Sequence, residues 1–442
     1  MSPPSRPGAD RGPRCPVRSR SWLWSLAVPF VLYLLGLAVF AQGMSEFMLS
    51  GLIPDIARDL RVSIPAAGSL TSAFAVGMVV GAPLMALLGR RLPRRRALLV
   101  LLTVFLLTHV VGAVTTSYPV LLLTRVIAAL ANAGFLAVAL STVAVLAPPG
   151  ARGRATAVLL GGITLSCVAG VPGGALLGQV WGWRSAFWAV ALLSVPALIA
   201  IVARLPRDSG ETAARTGVRA ELRALRAPGA LVPLALGALV NGATFGTFTY
   251  LAPLVTEVTG LGAGWVPGVL ALFGLGAFLG ATAGGRIADR HRPERPLLAA
   301  GALLLAGWTL LAVAAPSPVA AVVLVLVQGT LSFAVGSALI SRVLYAAAGA
   351  PTLAGASATS ALNVGAALGP WLGGAAIGAG FGHRSPVAVS AVLTALALAL
   401  ALAALARGRT RAPRRAPRQA APAGAGAAGE RPDAPAAGRS ER

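Results

Sequence analysis

Charged residues divide this chain into apolar runs that are long enough to cross a bilayer. A helix needs about 20 apolar residues to span the hydrocarbon core. Ten runs reach that length, and two of them are long enough for two spans each: 21–54, 62–89, 97–151, 155–183, 185–203, 227–256, 258–285, 296–341, 343–383 and 385–406. The sequence Ser117-Tyr118-Pro119 breaks the run 97–151, and Pro316 and Pro318 break 296–341. The pattern predicts an all-α integral membrane protein with twelve transmembrane helices.

Composition supports this prediction and indicates which kind of partner the protein has. Hydrophobic residues make up 56% of the chain and charged residues 11%, while 37 basic against 13 acidic residues give a net charge of +24. A nucleic-acid-binding protein carries such charge over a solvated fold, whereas here the arginines separate apolar runs. We therefore expect a lipid bilayer and no nucleic acid as partner. The 53 glycines in 442 residues favour close contacts between transmembrane helices.

The distribution of arginine predicts the orientation in the membrane. With the N-terminus in the cytoplasm, only Arg58, Arg61, Arg184 and Arg384 fall on the outer side, and Arg125 falls within a span. Such asymmetry follows the positive-inside rule, so a multi-pass protein of the cytoplasmic (inner) membrane with both termini cytoplasmic is expected.

The same pattern predicts the domain organisation. The expected segments are a disordered tail, a six-helix bundle, a cytoplasmic linker, a second six-helix bundle and a second disordered tail: 1–20, 21–203, 204–230, 231–406 and 407–442.

Few residues offer cofactor or catalytic chemistry. Cys15 and Cys167 are the only cysteines, the three histidines lack a metal-binding spacing, and the chain has neither a phosphate-binding glycine loop nor a lysine to complete one. No metal, cofactor or enzymatic activity is expected. A membrane-embedded enzyme would need a set of catalytic side chains that the sequence lacks. If the protein is not a transporter, the alternative is a transporter-like membrane sensor.

The chain also repeats itself weakly at an offset of about 199 residues. Arg91 matches Arg290, Pro54 matches Pro253, and Arg184-Ser185 matches Arg384-Ser385. Two related six-helix halves joined by a linker are typical of transporters whose substrate path runs between the halves near the bilayer midplane.

Three motifs resemble those of the major facilitator superfamily. The loop containing Asp289 and Arg290, with Arg91 in the first half, is similar to the cytoplasmic signature that latches helix ends, although Arg90 replaces the aspartate of the first copy. Arg125, followed by Asn132, resembles the fourth-helix motif that is linked to proton movement. Gly170, Pro172, Gly173 and Gly174 resemble the fifth-helix motif of antiporters, with a displaced proline.

Three further stretches resemble the chloramphenicol-efflux branch of the twelve-span drug:proton antiporters: 43–57, 129–140 and 247–259. The resemblance implies a monomeric exporter that exchanges protons for small, neutral, amphipathic drugs such as chloramphenicol by alternating access. Sugar or metabolite efflux by the same fold is the alternative within this class.

Ionisable side chains inside spans are functional candidates because burying them is costly. Glu46, His109 and Arg125 are the three, and their repeat counterparts are Phe245, Trp308 and Leu324. We expect proton coupling through Glu46 and Arg125. His109 is either a proton relay or a hydrogen-bonded core histidine.

The substrate cavity is expected to join this polar N-terminal half to an apolar C-terminal half. On the seventh span, polar residues recur at helical spacing and either line the cavity or make interhelical hydrogen bonds. The candidate cavity residues are Asn132, Asn241, Thr244, Phe245, Thr247 and Tyr250.

Overall fold

The computed structural model describes residues 30–88, 93–147, 152–205, 228–288, 294–346 and 351–411. In these ranges the chain is helical and contains no strand. Twelve of its helices are long and apolar enough to cross a membrane, which confirms the predicted fold class.

The twelve spans are named α1 to α12. Their bounds are α1 (Phe30–Phe47), α2 (Ile64–Leu88), α3 (Arg94–Val114), α4 (Tyr118–Leu146), α5 (Arg152–Leu165, Ser166–Gly170 and Val171–Trp181 in succession), α6 (Arg184–Arg204), α7 (Pro228–Thr249), α8 (Val266–Ala288), α9 (Glu294–Ala314), α10 (Pro318–Ala346), α11 (Pro351–Ala376) and α12 (Ser385–Arg411).

Prolines set several of the helix starts. Helix α4 begins at Tyr118 with Pro119 in its first turn, and α10 begins at Pro318. Proline lacks an N–H, but the first N–H groups of a helix have no intrahelical partner, so proline is tolerated there. The two long apolar runs divide where the sequence predicts.

Helix α5 contains a wide turn that the sequence does not predict. Residues Ser166–Gly170 form a π-helical turn, and Pro172 opens the following segment, Val171–Trp181. Because Pro172 cannot donate a backbone hydrogen bond, the helix widens in the turn before it. This turn lies at the contact between α5 and α8, where Gly274 approaches the carbonyl of Cys167.

Buried side chains form two clusters. One draws on α1 to α6 and includes Leu35, Phe105 and Phe187. The other draws mainly on α7 to α12 and includes Trp308. It also contains Phe47 from α1, so one aromatic ring of the first half packs in the core of the second.

The internal repeat is visible as one turn that occurs twice. Gly182 and Gly382 have φ values of 80° and 75°, a left-handed conformation that glycine adopts without a steric penalty. Three residues later, Ser185 Oγ donates to the Gly182 carbonyl at 2.7 Å, and Ser385 Oγ donates to the Gly382 carbonyl at 2.7 Å. The matched Arg-Ser pairs therefore follow equivalent turns at the starts of α6 and α12.

Helices of the two halves contact each other directly. Ser72 Oγ on α2 donates to the Ala367 carbonyl on α11 at 2.7 Å, and Ser360 Oγ on α11 donates to the Val79 carbonyl on α2 at 3.1 Å. Gln179 Nε2, near the end of α5, donates to the Ala263 carbonyl before α8 at 2.6 Å. These contacts, like the packing of Phe47, join the two halves.

Candidate functional site

Arg125 lies in the interior of the first half. Its side chain is 1% exposed. Nη1 donates to Ser45 Oγ at 2.9 Å and Nη2 donates to the Ser45 carbonyl at 2.7 Å. The guanidinium also stands 4.4 Å from the centre of the Phe74 ring, which attracts a cation through its quadrupole. Arg125 thus ties α4 to α1 through a single serine.

His109 continues the same network to α3. Its Nδ1 lies 2.7 Å from the Phe105 carbonyl and its Nε2 lies 2.6 Å from Ser45 Oγ. A carbonyl only accepts hydrogen bonds, so Nδ1 carries the proton, and the Ser45 hydroxyl, which accepts from Arg125, donates to Nε2. Hydrogen bonds therefore run in one direction, from Arg125 through Ser45 to His109.

Glu46 is the next residue along α1 and is half-buried. Within the described residues its carboxylate makes no hydrogen bond or ion pair, although it lies within electrostatic range of Arg125 and of the Cys167 thiol. One turn earlier, Gln42 is 1% exposed and neither its amide nitrogen nor its oxygen has a partner. Buried polar groups are normally hydrogen-bonded, so this part of α1 has capacity to bind a proton, water or a polar ligand.

Beyond Glu46 the surroundings become aromatic. The Phe47 ring lies 5.8 Å from Phe245 and 6.5 Å from Phe248, and Phe248 stacks on Phe273 at 4.6 Å. These rings, with Phe333 at 6.3 Å from Phe273, form the central aromatic cluster: Phe47, Phe245, Phe248, Phe273 and Phe333.

A narrow cavity remains inside the central aromatic cluster. It is about 10 Å³, which is space for about one water molecule. Thr244, Phe245 and Cys167 line it, so two of the predicted cavity residues face the space between the halves. Thr244 Oγ1 itself donates to the Val240 carbonyl at 2.8 Å within its own helix.

The other predicted cavity residues on α7, and Tyr250 directly after it, make hydrogen bonds to neighbouring helices. Asn241 Nδ2 donates to the Leu362 carbonyl at 2.7 Å, and Tyr250 OH donates to the Pro370 carbonyl at 2.9 Å, both on α11. Thr247 Oγ1 lies 2.8 Å from Ser390 Oγ on α12. In the first half, Asn132 Nδ2 on α4 lies 3.7 Å from the Met78 sulfur on α2. In this arrangement, these four side chains connect helices.

The glycine–proline motif of α5 packs against α1. A Cβ added at Gly170 would stand 3.2 Å from Met44 Cβ, and one at Gly174 would stand 3.2 Å from Met48 Cβ. A Cβ at Gly173, in contrast, would meet no atom within 4 Å. Pro172 is buried at the end of the wide turn. The motif therefore combines close helix contact with the irregular backbone beside Cys167.

The predicted loop latch lies outside the described residues, since Arg91, Asp289 and Arg290 all fall in the gaps between the described ranges. Across the described ranges, no group of three His, Cys, Asp or Glu side chains could hold a metal ion.

Sequence reasoning missed an ion pair at the start of α6. Arg184 donates to Asp59 Oδ2 and, at 3.0 Å, to the Thr115 carbonyl, while Trp183 Nε1 donates to Asp59 Oδ2 at 3.1 Å. The Arg184 guanidinium beside Asp59 holds the pKa of that carboxyl below its usual range. The contact joins the short helix Ile53–Asp59 to α3 and α6. Residues 125 positions apart cannot be paired from one sequence.

Ser45 was also missed, because an uncharged serine in an apolar run carries no signal of its own. Phe47 was missed for the same reason. Both flank Glu46, and both depend on partners from other helices: Arg125 and His109 for the serine, Phe245 and Phe248 for the ring.

Twelve membrane-spanning helices, two buried cores and an aromatic cavity between them define a membrane transporter made of two related halves. A family model confirms this class. The chain belongs to the Major Facilitator Superfamily, whose model matches residues 35–359 and, in a second overlapping match, 263–436.

Two relatives and one solved structure extend the comparison. The chain is 56% identical over 370 residues to the chloramphenicol resistance protein of Streptomyces lividans, a match that covers 83% of this chain and 94% of the relative. It is 36% identical over 370 residues, with the same coverage, to the inner membrane transport protein YdhP of Escherichia coli strain K12. The resemblance to the chloramphenicol-efflux branch is thus confirmed.

The fold matches a crystal structure of a bacterial homologue of the human lysosomal transporter Spinster in an inward-facing, unoccupied conformation. The TM-score is 0.69 at 18% identity, and the match covers 85% of this chain and 96% of the other. At that identity the likeness supports the fold alone.

Proposed function

We propose that this transporter exports small, neutral, amphipathic drugs such as chloramphenicol across the cytoplasmic membrane in exchange for protons. The 56% identity to a chloramphenicol resistance protein supports the substrate class. In this proposal the protein acts as a monomer, with both termini in the cytoplasm, and alternates between states that face the two sides.

The position of Glu46 is the observation that carries proton exchange. Its carboxylate has no hydrogen-bond partner among the described residues, lies within range of the Arg125 charge, and also lies within range of Cys167, which lines the central cavity. A carboxyl in that place can respond both to a fixed cation and to the contents of the cavity.

The exchange follows from two alternative partners for Glu46. When it is ionised, Glu46 is stabilised by Arg125, and the apolar cavity is free to take a neutral drug. When a proton from the outer side binds Glu46, the charge is neutralised and Arg125 keeps its bonds to Ser45. Exchange requires only that proton and drug bind the two facing states with different affinity.

The driving force is sufficient for export. A proton that crosses a membrane potential of 100 mV releases about 2.3 kcal/mol. Since about 1.4 kcal/mol corresponds to a factor of ten, one such proton supports a drug gradient of roughly fifty-fold.

Glu46→Gln in liposomes tests the proposal. Glutamine keeps the shape of the side chain but is fixed in the neutral form, so chloramphenicol should still bind, with the weaker affinity of the protonated state, while transport driven by a pH gradient is lost. Glu257→Gln is the matched control, because Glu257 is an exposed acid after α7 and the chemical change is identical.

Wild-type rates of gradient-driven transport in Glu46→Gln would exclude this residue as the obligatory proton carrier. A wild-type protein that moves a sugar but no phenicol would instead assign the substrate to the alternative class. Cells that express the protein should tolerate chloramphenicol better, and a protonophore should abolish that tolerance.

A further inference from the structure

Phe47 belongs to α1 by sequence but to the second half by packing. Its side chain is 9% exposed, and its ring neighbours within the central aromatic cluster are Phe245 and Phe248 of α7. The buried cluster that contains it is otherwise formed mainly by α7 to α12. When the two halves move relative to each other, the Phe47 ring must therefore either separate from α7 or move together with α7.

Phe47 is covalently adjacent to the charged site. Ser45 accepts two hydrogen bonds from Arg125, Glu46 lies within range of the same cation, and Phe47 enters the aromatic cluster. Consecutive Cα atoms are about 3.8 Å apart, so a displacement of the backbone at Phe47 also displaces Glu46. The α-helix ends at Phe47 and continues as the tight turn Met48–Gly51, which makes this a natural place for a local change.

The central cavity must widen when a substrate enters it. Its present volume is about 10 Å³, whereas pockets for drug-sized ligands begin at about 300 Å³. Rings of the central aromatic cluster must move apart to admit a substrate. Phe245, Phe248, Phe273 and Phe333 all lie on helices of one half, so separating the halves releases Phe47 first.

We propose that Phe47 is a positioning residue that couples occupancy of the central cavity to proton binding at Glu46. A drug between the halves displaces the Phe47 ring from Phe245 and Phe248. The attached backbone moves Glu46 closer to Arg125, which favours the ionised carboxylate. Proton and drug then oppose each other's binding without touching. This inference rests on the proposed proton exchange.

Among the described residues, the ionisable groups around Glu46 come from three helices. They are Arg125 on α4, His109 on α3, which contacts Ser45, and the Cys167 thiol on α5. The proposed change alters the distance from Glu46 to Arg125, because the hydrogen bonds of Arg125 and His109 both hold Ser45 in place.

The pH dependence of chloramphenicol binding is the test. In the wild-type full-length protein, the dissociation constant should rise by about tenfold between alkaline and acidic pH, a typical size for coupling between two sites. Phe47→Leu keeps an apolar side chain but removes the ring contacts. Its affinity should fall at every pH, because a ring that lines the cavity is lost, and the pH dependence should also fall, to less than about twofold. Phe47→Tyr should restore the dependence.

Phe273→Leu is the matched control. Phe273 is a buried ring of the same cluster on α8, but it is not attached to the charged site. We expect it to weaken binding by the same factor at every pH and to leave the pH dependence intact. If Phe47→Leu does not reach the membrane, Phe47→Met takes its place in the comparison with Phe273→Leu.

The outcomes separate this inference from the proposed function. A wild-type affinity that is independent of pH would overturn proton exchange itself. A pH-dependent wild type whose dependence persists in Phe47→Leu, or whose Phe47→Leu and Phe273→Leu variants behave alike, would overturn the role of Phe47 and leave proton exchange standing.

Discussion

At the scale of single residues, Ser45 determines the geometry of the buried network. It accepts from Arg125 through its hydroxyl and its carbonyl, and its hydroxyl donates to His109. Arg125 Nε already lacks a partner. Within the described residues, the Ser45 hydroxyl is therefore the group that links Arg125 to His109.

Ser45→Ala should lower stability by about 1–3 kcal/mol, because it leaves a guanidinium nitrogen and an imidazole nitrogen buried without partners. Ser194→Ala is the control, since Ser194 is equally buried but donates only to the Val190 carbonyl of its own helix. Thermal unfolding in detergent compares the two. Equal losses in both variants would contradict a special role for Ser45.

Asp59 provides a prediction about pH. Its pKa is held low by Arg184, so the ion pair stabilises the fold fully above the ordinary carboxyl pKa of about 3.9. That stabilisation is lost as the pH falls through the lower value of the folded state. Because the Asp59 side chain is 44% exposed, solvent screens the pair, and Asp59→Asn should cost no more than about 1 kcal/mol at neutral pH.

Melting temperatures of wild type and Asp59→Asn should therefore differ in neutral buffer and converge in strongly acidic buffer. Asp55→Asn is the companion variant, since Asp55 pairs at 3.2 Å with the exposed Arg58 of the same short helix and joins no other element. A difference that persists unchanged in acid would show that Asp59 acts through shape instead of charge.

Charge decides which site residues a sequence can reveal. Glu46, His109 and Arg125 are detectable because each interrupts an apolar run, and the structure brings Arg125 and His109 onto one serine beside Glu46. Ser45 and Phe47 are ordinary residues for a membrane helix, so only their partners distinguish them. The same limit applies on α7, where sequence alone could not separate cavity lining from the interhelical bonds of Asn241 and Tyr250.

At the scale of helices, α8 and α10 make a close contact that depends on glycine. Added Cβ atoms at Gly276, Gly280 and Gly284 would overlap carbonyl oxygens of α10, those of Leu326, Thr330 and Ala334. Glycines four residues apart let two membrane helices approach at backbone distance. The pair is therefore sensitive to a single methyl group.

Gly280→Ala should destabilise the protein by about 1–3 kcal/mol, because the methyl group forces the two backbones apart. Gly268→Ala, on the exposed start of the same helix, meets no atom within 4 Å and should be neutral or slightly stabilising, since alanine favours helix. Size-exclusion profiles after heating measure both. Loss of the monodisperse peak in Gly268→Ala alone would contradict this account.

Hydrophobic length predicts the helices but not their irregularities. The break after Val114 and the restart at Tyr118 follow from Ser117 and Pro119. The wide turn Ser166–Gly170 leaves no comparable mark, because a π-turn keeps the chain helical and apolar. Its cause, Pro172 at the start of the next segment, is compatible with either a kink or a widened turn.

At the scale of the whole molecule, the even number of spans and the arginine asymmetry predict the topology. Alkaline phosphatase, which is active only outside the cytoplasm, should be inactive when it is fused after Arg442. The same enzyme inserted after Gly260, between α7 and α8, should be active. The reverse pattern would require the opposite orientation, and activity at both sites would require an even number of spans between them.

The two halves are alike in backbone and unlike in chemistry. Phe245, Trp308 and Leu324 occupy the repeat positions of Glu46, His109 and Arg125. Thr244, at the repeat position of Ser45, bonds only to its own helix. The buried polar network is thus confined to one half, and four of the five rings of the central aromatic cluster belong to the other.

This division has an evolutionary consequence. Changes among Phe245, Phe248 and Phe273 reshape the walls of the central cavity without touching the hydrogen bonds of Arg125 and His109. Under selection by a new antibiotic, variants with an altered resistance spectrum should therefore arise first among the rings of the second half, while Ser45 and Arg125 stay unchanged.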